Sequence, residues 1–465
     1  MQIWIEVTDF AKIKYARVCV NKYTLFVGPN NCGKTFLMQL IEGINDAWSE
    51  LVDERSIISL CRESNDNHTI YELSASTIEQ FVRIINENVH EKIEDIILTE
   101  FNRKINVGNV KIDICLDKDE KYIIYNSDYF SEITRFLEEK LGNSENIDFL
   151  NNMDRNISVL IEEIPEDGQA KLKGIYLSLK QNKIIIWKNI ENLVLERIER
   201  KSLFMPASRN GLMLLYKDFF ANKMDSVVAY RFNESGVEKQ RENSLNITSH
   251  MYKFLRFLQT YHEDPMAQEQ LGKEIAFFEK NIIDGKISVD QKNGMVYTSR
   301  EEQVNSPMYL TSAMVNEVAP FYLAMTSTEE YDRFIIDEIE ASLHPQKQLE
   351  MVRFLNRLRN KGAEFIISTH SDTFVNRLNN IVLISKYIKR TGEKNVLHEL
   401  EIEEQDLIDD GDLFVYEFVV KENGKSVVVE KNCDSKYGYQ FDLFTSAALE
   451  VYNEAFKVGE IIKDE

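Results

Sequence analysis

The 465-residue chain reads as an α/β protein, and three stretches carry that reading. Thr24-Leu25-Phe26-Val27 is a short apolar run of β formers, and Phe36-Leu37-Met38-Gln39-Leu40-Ile41 places its apolar residues on a helical period after an intervening turn. Far along the chain, Phe334-Ile335-Ile336 runs into Asp337-Glu338-Ile339-Glu340. Glu364-Phe365-Ile366-Ile367 runs in the same way into Ser368-Thr369-His370-Ser371. Each reads as a buried strand that ends in polar, chemically active residues.

The turn is the most informative of these. Gly28-Pro29-Asn30-Asn31-Cys32-Gly33-Lys34-Thr35 is a complete G-x-x-x-x-G-K-[ST] phosphate loop between a strand and a helix, the setting in which that pattern binds nucleotide. Its glycines let the N–H groups of Asn30, Asn31, Cys32 and Phe36 turn toward a phosphate chain, aided by the helix dipole. Lys34 is expected on the β- and γ-phosphates of ATP, and the Thr35 hydroxyl on Mg²⁺. In the acidic strand, Asp337 fits the second Mg²⁺ ligand. Glu338 fits the base or positioner of an attacking water. Successive strand residues face opposite sides, but the chain turns at a strand's carboxyl end, so both acids can reach the phosphates. His370, ending the next strand, is placed to meet a γ-phosphate or water.

The remaining elements follow in order. Two β-like stretches flank Phe10-Ala11-Lys12-Ile13. Helical spacing runs from Ser76 to Glu94, Val110 to Leu116 alternates as a strand, and Tyr129 to Leu141 reads as helix. Ser158 to Ile164 and Ile175 to Trp187 are β-like. Lys201 to Gly211 reads as strand, proline-started turn and helix, with Ser208 and Arg209 in the turn. Residues 212–305 are mostly helical with a hairpin at Gly285 to Tyr297, and Thr311 or Ser312 caps a helix that carries Glu317. Asn222-Lys223-Met224-Asp225 matches a guanine-reading motif, but the segment before it looks helical and no strand presents it. The acids Asp406, Asp409, Asp410 and Asp412 read as a solvated loop. Phe10, Tyr15 and Tyr23 are candidate partners for an adenine ring.

Composition narrows the function. The chain has 55 basic and 77 acidic residues, a net charge of −22, which argues against a surface built to grip DNA. Five cysteines, Cys19, Cys32, Cys61, Cys115 and Cys433, lack metal-ligand spacing and point to a reducing, cytoplasmic setting. No signal-peptide pattern and no run of 18 apolar residues occurs, so no membrane is expected as a partner. No heptad array long enough for an extended coiled coil is present.

Taken together, the phosphate loop, Asp337-Glu338-Ile339-Glu340-Ala341-Ser342-Leu343-His344-Pro345 and Ser368-Thr369-His370-Ser371 resemble the ABC-type ATPases of the OLD, RecF and SMC class. The likeness is specific over residues 1–45 and 300–380. It implies an α/β ABC-type P-loop ATPase head with a mixed sheet core, an antiparallel β subdomain and an inserted helical lobe. The implied division is lobe I over 1–210, with an α/β insertion at 46–200, lobe II over 211–305, a core over 306–386 and a C-terminal α/β extension over 387–465. The resemblance makes Asp337 the Mg²⁺ holder, Glu338 the catalytic glutamate and His370 the switch histidine. It also makes Ser312 the signature residue that meets a second subunit's nucleotide, although the familiar L-S-G-G-Q form is missing and Ala313 stands where glycine is usual. Pro206-Ala207-Ser208-Arg209 is similar to the P-A-x-R segment of OLD-like defence ATPases, which puts Arg209 near the γ-phosphate.

Only 85 residues follow Asn380, too few for the toprim nuclease of OLD enzymes. The chain is therefore similar to stand-alone ATPase subunits of two-gene antiphage systems such as Septu and PARIS. That implies ATP and Mg²⁺ as cofactors, a head-to-tail homo-oligomer, a separately encoded nuclease or toxin subunit and a phage protein as trigger. A RecF- or SMC-like DNA-repair ATPase and an ATP-locked scaffold with little turnover are the competing readings.

Overall fold

The computed structural model describes residues 2–51, 68–72, 75–115, 121–127, 156–164, 169–178, 200–232, 247–290, 294–301, 303–441 and 449–458. Strands β1 (Gln2–Phe10) and β2 (Ile13–Cys19) form a hairpin, and β3 (Tyr23–Val27) leads through the phosphate loop into α1 (Lys34–Asp46) and α2 (Trp48–Leu51). Then come β4 (His68–Glu72), α3 (Ala75–Phe101), β5 (Asn109–Cys115), β6 (Lys121–Ser127), β7 (Asn156–Ile164) and β8 (Gln169–Ser178). Strand β9 (Ser202–Met205) opens the next stretch, followed by α4 (Arg209–Phe232), α5 (Ser249–Thr260) and α6 (Ala267–Phe277). Strands β10 (Gly285–Asp290), β11 (Gly294–Ser299) and β12 (Asn305–Pro307) precede α7 (Ala313–Met325) and β13 (Arg333–Ile336). The chain continues through α8 (Pro345–Asn360), β14 (Glu364–Thr369), α9 (Asp372–Thr391), α10 (Asn395–Glu399), β15 (Leu413–Val420) and β16 (Ser426–Lys431). A last helix, α11, spans 449–458.

A mixed sheet in the order β5-β1-β2-β16-β15-β3-β14-β13-β9 is the frame. Five neighbours, β15, β3, β14, β13 and β9, run parallel, while β5, β1 and β2 are antiparallel. In the parallel part, Leu25 and Val27, Phe334 and Ile336, and Phe365 and Ile367 face one apolar core, whereas Phe26, Ile335 and Ile366 face another. Helices α7, α8 and α9 cover the first face and α1 and α3 the second. That two-sided burial explains why these strands are continuous apolar runs rather than alternating ones.

Two smaller antiparallel sheets lie apart, β10-β11-β12 and β4-β6-β7-β8. The fold class expected from the sequence, a mixed-sheet α/β head with an antiparallel part and a helical lobe, is the one observed. The hairpin expected at Gly285 to Tyr297 forms, and Asn222 to Asp225 lies inside α4, behind no strand. The helix expected at Tyr129 to Leu141, and the stretch from 179 to Trp187, fall outside the described residues.

Two expectations need correction. Residues 387–465 are not merely an extension, because β15 lies between β3 and β16 in the middle of the main sheet. Leu413-Phe414-Val415-Tyr416-Glu417-Phe418 has the near-continuous apolar character that such a strand needs. Asp406 is not solvated either: it is fully buried and accepts from Arg353 Nε at 2.7 Å and Arg357 Nε at 2.6 Å, which ties α8 to the segment before β15. Asp409, Asp410 and Asp412 pair with Lys389, Lys386 and Arg359 in turn.

Candidate nucleotide site

Strands β3, β13, β14 and β9 all end at one edge of the sheet, so the loops that follow them meet there, where open α/β sheets bind ligands. After β3 the chain turns tightly. Gly33 has φ 106°, open to glycine alone at little cost, and a Cβ on it would lie 2.9 Å from Ile13 Cγ1. Gly28 has a different reason: a Cβ there would stand 2.7 Å from Phe418 Cβ on β15. The loop is therefore clamped between the β1–β2 turn and the central strand.

Lys34, buried at the start of α1, donates from Nζ to the carbonyls of Gly28 and Pro29, both at 2.9 Å, arching back over the loop. Its burial lowers its pKa from the ordinary lysine value. Cys32 Sγ lies 3.7 Å from the same Nζ and is itself buried. Thr35 Oγ1 donates to Asp337 Oδ2 at 2.8 Å. This hydroxyl and carboxylate, held edge to edge at the helix start, are the hard oxygen donors that Mg²⁺ accepts alongside phosphate and water, so the residues present fit that ion.

Asp337 and Glu338 directly follow β13. The buried Ser368 hydroxyl donates to Asp337 Oδ1 at 2.5 Å and accepts from the Glu338 N–H at 2.9 Å. Glu338 sits at φ 50°, a left-handed conformation that costs a non-glycine residue about 1 kcal/mol. His370 stands opposite. Its Nδ1–H donates to the Gly28 carbonyl at 2.7 Å, and Nε2 faces Glu338 Oε1 at 3.6 Å. Glu340 accepts from the His370 N–H at 2.6 Å and the Thr369 hydroxyl at 2.8 Å, which fixes the turn that carries the histidine.

A cavity of about 630 Å³ joins these groups. It is lined by Asn30, Asn31, Cys32, Gly33, Lys34, Thr35 and Phe36 of the loop, and by Asp337, Glu338 and His370. The size suits a nucleotide. The structure thus gathers every phosphate-loop residue singled out from sequence, with Gly28 contributing its carbonyl from below.

Arg209 and Ser312 are not among the lining residues. Arg209 is wholly buried beneath the acids and spends its guanidinium on backbone carbonyls and on Glu317. Ser312, not Thr311, caps α7, accepting from the Val315 N–H at 3.3 Å, and is exposed. Phe10 and Tyr23 are fully buried and cannot stack on a base, and Tyr15 turns its hydroxyl toward Glu6.

Sequence reasoning missed the outer wall of the cavity, which consists of Ala11 and Lys12 from the β1–β2 turn and Arg103 and Ile105 from the stretch after α3. Strand β5 pairs with β1, with Thr8 opposite Asn109, and so brings residues 103–108 beside the turn. Lys12 and Arg103 are exposed, and among the described residues neither pairs with a carboxylate. The only sequence signal was the Arg103-Lys104 pair in an otherwise acidic chain. A second cavity, about 490 Å³ at the opposite edge, is also lined by cations. There Arg200, Lys201 and Lys253 are matched by Glu364, Glu329 and Glu42, leaving little net charge for a phosphate.

No helix among the described residues is long and apolar enough to cross a membrane. Comparison with known proteins adds the family. A family model described as "AAA domain, putative AbiEii toxin, Type IV TA system" matches residues 24–376. No curated protein matches significantly. Among solved structures, the SMC head domain from Thermotoga maritima is similar at 11% identity and TM-score 0.33, over 93% of this chain and 100% of that one. An SMC head bound to the C-terminal winged-helix domain of ScpA is similar at 12% identity and TM-score 0.34, over 92% and 96%. The family match spans most of the chain, and the chain belongs to that AAA-domain family of P-loop ATPases.

Proposed function

We propose that this family member is an ATP-hydrolysing ABC-type ATPase that dimerises around ATP–Mg²⁺ and whose nucleotide state controls a separately encoded effector nuclease in antiphage defence. The observation that carries the enzymatic part is the convergence of Lys34, Thr35, Asp337, Glu338 and His370 on one cavity from segments more than 300 residues apart. Lys34 exchanges the loop carbonyls for the β- and γ-phosphate oxygens. Thr35 and Asp337 would hold Mg²⁺, which would neutralise charge developing on the phosphates. Glu338, whose side chain is about half exposed, takes a proton from water as the water oxygen bonds the γ-phosphorus and the bond to the β–γ bridging oxygen breaks, leaving ADP and phosphate. His370, whose Nδ1–H is held by the Gly28 carbonyl, turns Nε2 toward Glu338, where the neutral ring accepts a hydrogen bond from that water. Lys12 and Arg103 meet the remainder of the nucleotide. Positioning and preorganised charge supply most of the rate.

The dimer is supported by the exposed approach to Ser312, where Tyr309 and Leu310 are 71% and 69% exposed just before the cap. Large apolar side chains beside free helix N–H groups suit a surface that meets a second copy's nucleotide. The family's own description names a toxin–antitoxin system, which favours a two-component setting.

The test is capture of the Glu338→Gln chain with ATP–Mg²⁺ from cells that carry its native neighbouring genes. Recovery of a nuclease-like protein, lost with Lys34→Ala, is expected. Recovery of DNA alone, released by salt, would replace the effector reading with a DNA-repair one.

A further inference from the structure

We propose that Arg209 is a positioning residue for Glu338, and that through Glu317 it ties this carboxylate to the helix capped by Ser312. The inference deepens the hydrolysis reading and rests on it for its kinetic arm alone. Arg209 Nη1 donates to the Asp337 carbonyl at 2.6 Å, and Nη2 donates to the Glu338 carbonyl at 3.0 Å. Those carbonyls belong to the two peptide planes on either side of the Glu338 Cα. The Ser368 hydroxyl takes the Glu338 N–H, so both planes that define this residue's backbone are held. A left-handed φ of 50° at a glutamate persists only where the surroundings over-determine it, and Arg209 supplies two of the five hydrogen bonds on these planes, beside two from Ser368 and one from the Ala341 N–H.

The opposite side of the guanidinium faces α7. Nη2 lies 2.8 Å from Glu317 Oε1, and Nε donates to the Glu317 carbonyl at 3.3 Å. Glu317 Oε2 in turn accepts from the Asn210 N–H at 3.1 Å, at the start of the helix that Arg209 begins. Both side chains are buried, and Glu317 is the only carboxylate paired with Arg209 among the described residues. Only a planar fork reaches two carbonyls and a carboxylate at once; an ammonium has neither the span nor the directions. With its donors committed below the acids, Arg209 presents nothing to the cavity and acts through the backbone. Any shift of α7 relative to β13 must pass through this fork, so a contact made at the Ser312 end of α7 is felt at Glu338.

The experiment compares Glu317→Gln and Arg209→Lys with the unaltered full chain, by amide hydrogen exchange and by ATP turnover with parallel nucleotide titration. Faster exchange over Asp337 to Ala341, with the phosphate loop unchanged, is expected in both variants. Turnover should fall on the order of 10²-fold, the effect of a small misplacement of a reacting group, while nucleotide affinity is retained. Unchanged exchange over Asp337 to Ala341 overturns the proposal, as does a parallel loss of turnover and affinity. If the unaltered chain proves unable to hydrolyse ATP, the hydrolysis reading fails and the exchange result still decides this one. If Arg209→Lys does not fold, the isosteric Glu317→Gln decides.

Discussion

Replacing Ser368 by alanine removes one oxygen and should disable the site while leaving nucleotide binding intact. The hydroxyl is fully buried and makes two bonds, donating to Asp337 Oδ1 at 2.5 Å and accepting from the Glu338 N–H at 2.9 Å. Alanine introduces no strain but leaves a part-buried N–H without its partner, which costs about 1 kcal/mol. It also deletes a hydrogen bond to a carboxylate, which contributes about 1.5–3 kcal/mol. The two losses fall on neighbouring groups and do not simply add, so about 3 kcal/mol is the working figure for the loss of organisation around Asp337 and Glu338. If that loss is felt in the transition state, turnover falls on the order of 10²-fold. The assay is phosphate release at saturating ATP–Mg²⁺, beside a titration with a fluorescent ATP analogue in EDTA. Affinity without Mg²⁺ should be unchanged, because Ser368 touches neither Lys34 nor the loop. A folded variant with full turnover would refute the reasoning, and so would one that loses metal-free affinity in step with turnover.

Three further outcomes are expected. Lys12→Ala and Arg103→Ala should each weaken ATP binding by about 1 kcal/mol, roughly fivefold, as exposed charges do, with a shallower salt dependence in calorimetric titrations; unchanged affinity in both would remove the outer wall from the site. Asp46, at the end of α1, keeps about two fifths of its side chain accessible, yet desolvation by the residues packed around it and the neighbouring Glu42 raise its pKa to about 6 against the pull of Lys253. The folded state therefore holds that proton more tightly than the unfolded chain, so the stability involved is full below pH 3.8 and lost as pH rises through about 6. Urea midpoints of Asp46→Asn should lack that part of the decline. Glu364→Gln should destabilise the chain by about 3 kcal/mol in urea unfolding, because it leaves Arg333 charged, buried and deprived of its carboxylate.

What could be read from the sequence follows from the range of the interactions involved. The phosphate loop was legible because strand, turn and helix are contiguous, and each constraint on Gly28 to Thr35 is local or nearly so. Asp337, Glu338 and His370 were legible because each ends a run of strand formers long enough to read alone. Arg209 was misplaced for the converse reason. Its partners are backbone carbonyls at 337 and 338 and a carboxylate at 317, and no pattern of residue types marks a carbonyl as a ligand. Lys12 and Arg103 escaped because the pairing of β1 with β5 creates their proximity. Leu413 to Val420 did show the apolar run of a buried strand. Nothing local in that run says that it returns to the centre of the sheet, because its pairing with β3 and that of the neighbouring β16 with β2 reach across almost the whole chain.

The Asp337 to Glu340 segment shows how a strand end delivers adjacent residues to one site. On a regular strand Asp337 and Glu338 would face opposite sides of the sheet, one toward α1 and the other toward α7. Asp337 keeps the strand geometry, its N–H donating to the Met205 carbonyl, and reaches Thr35 from there. The left-handed turn at Glu338 then swings its carboxylate to the same side, where both acids line one cavity. Ile339, redirected by that turn, drops into the core below, and its N–H bonds the Ser368 carbonyl. Glu340 is thereby aimed at the neighbouring loop, where it accepts from the His370 N–H rather than facing the cavity. One backbone torsion thus gives three acids in four residues separate tasks. The groups that hold that torsion, Arg209 and Ser368, should be as sensitive to substitution as the acids themselves.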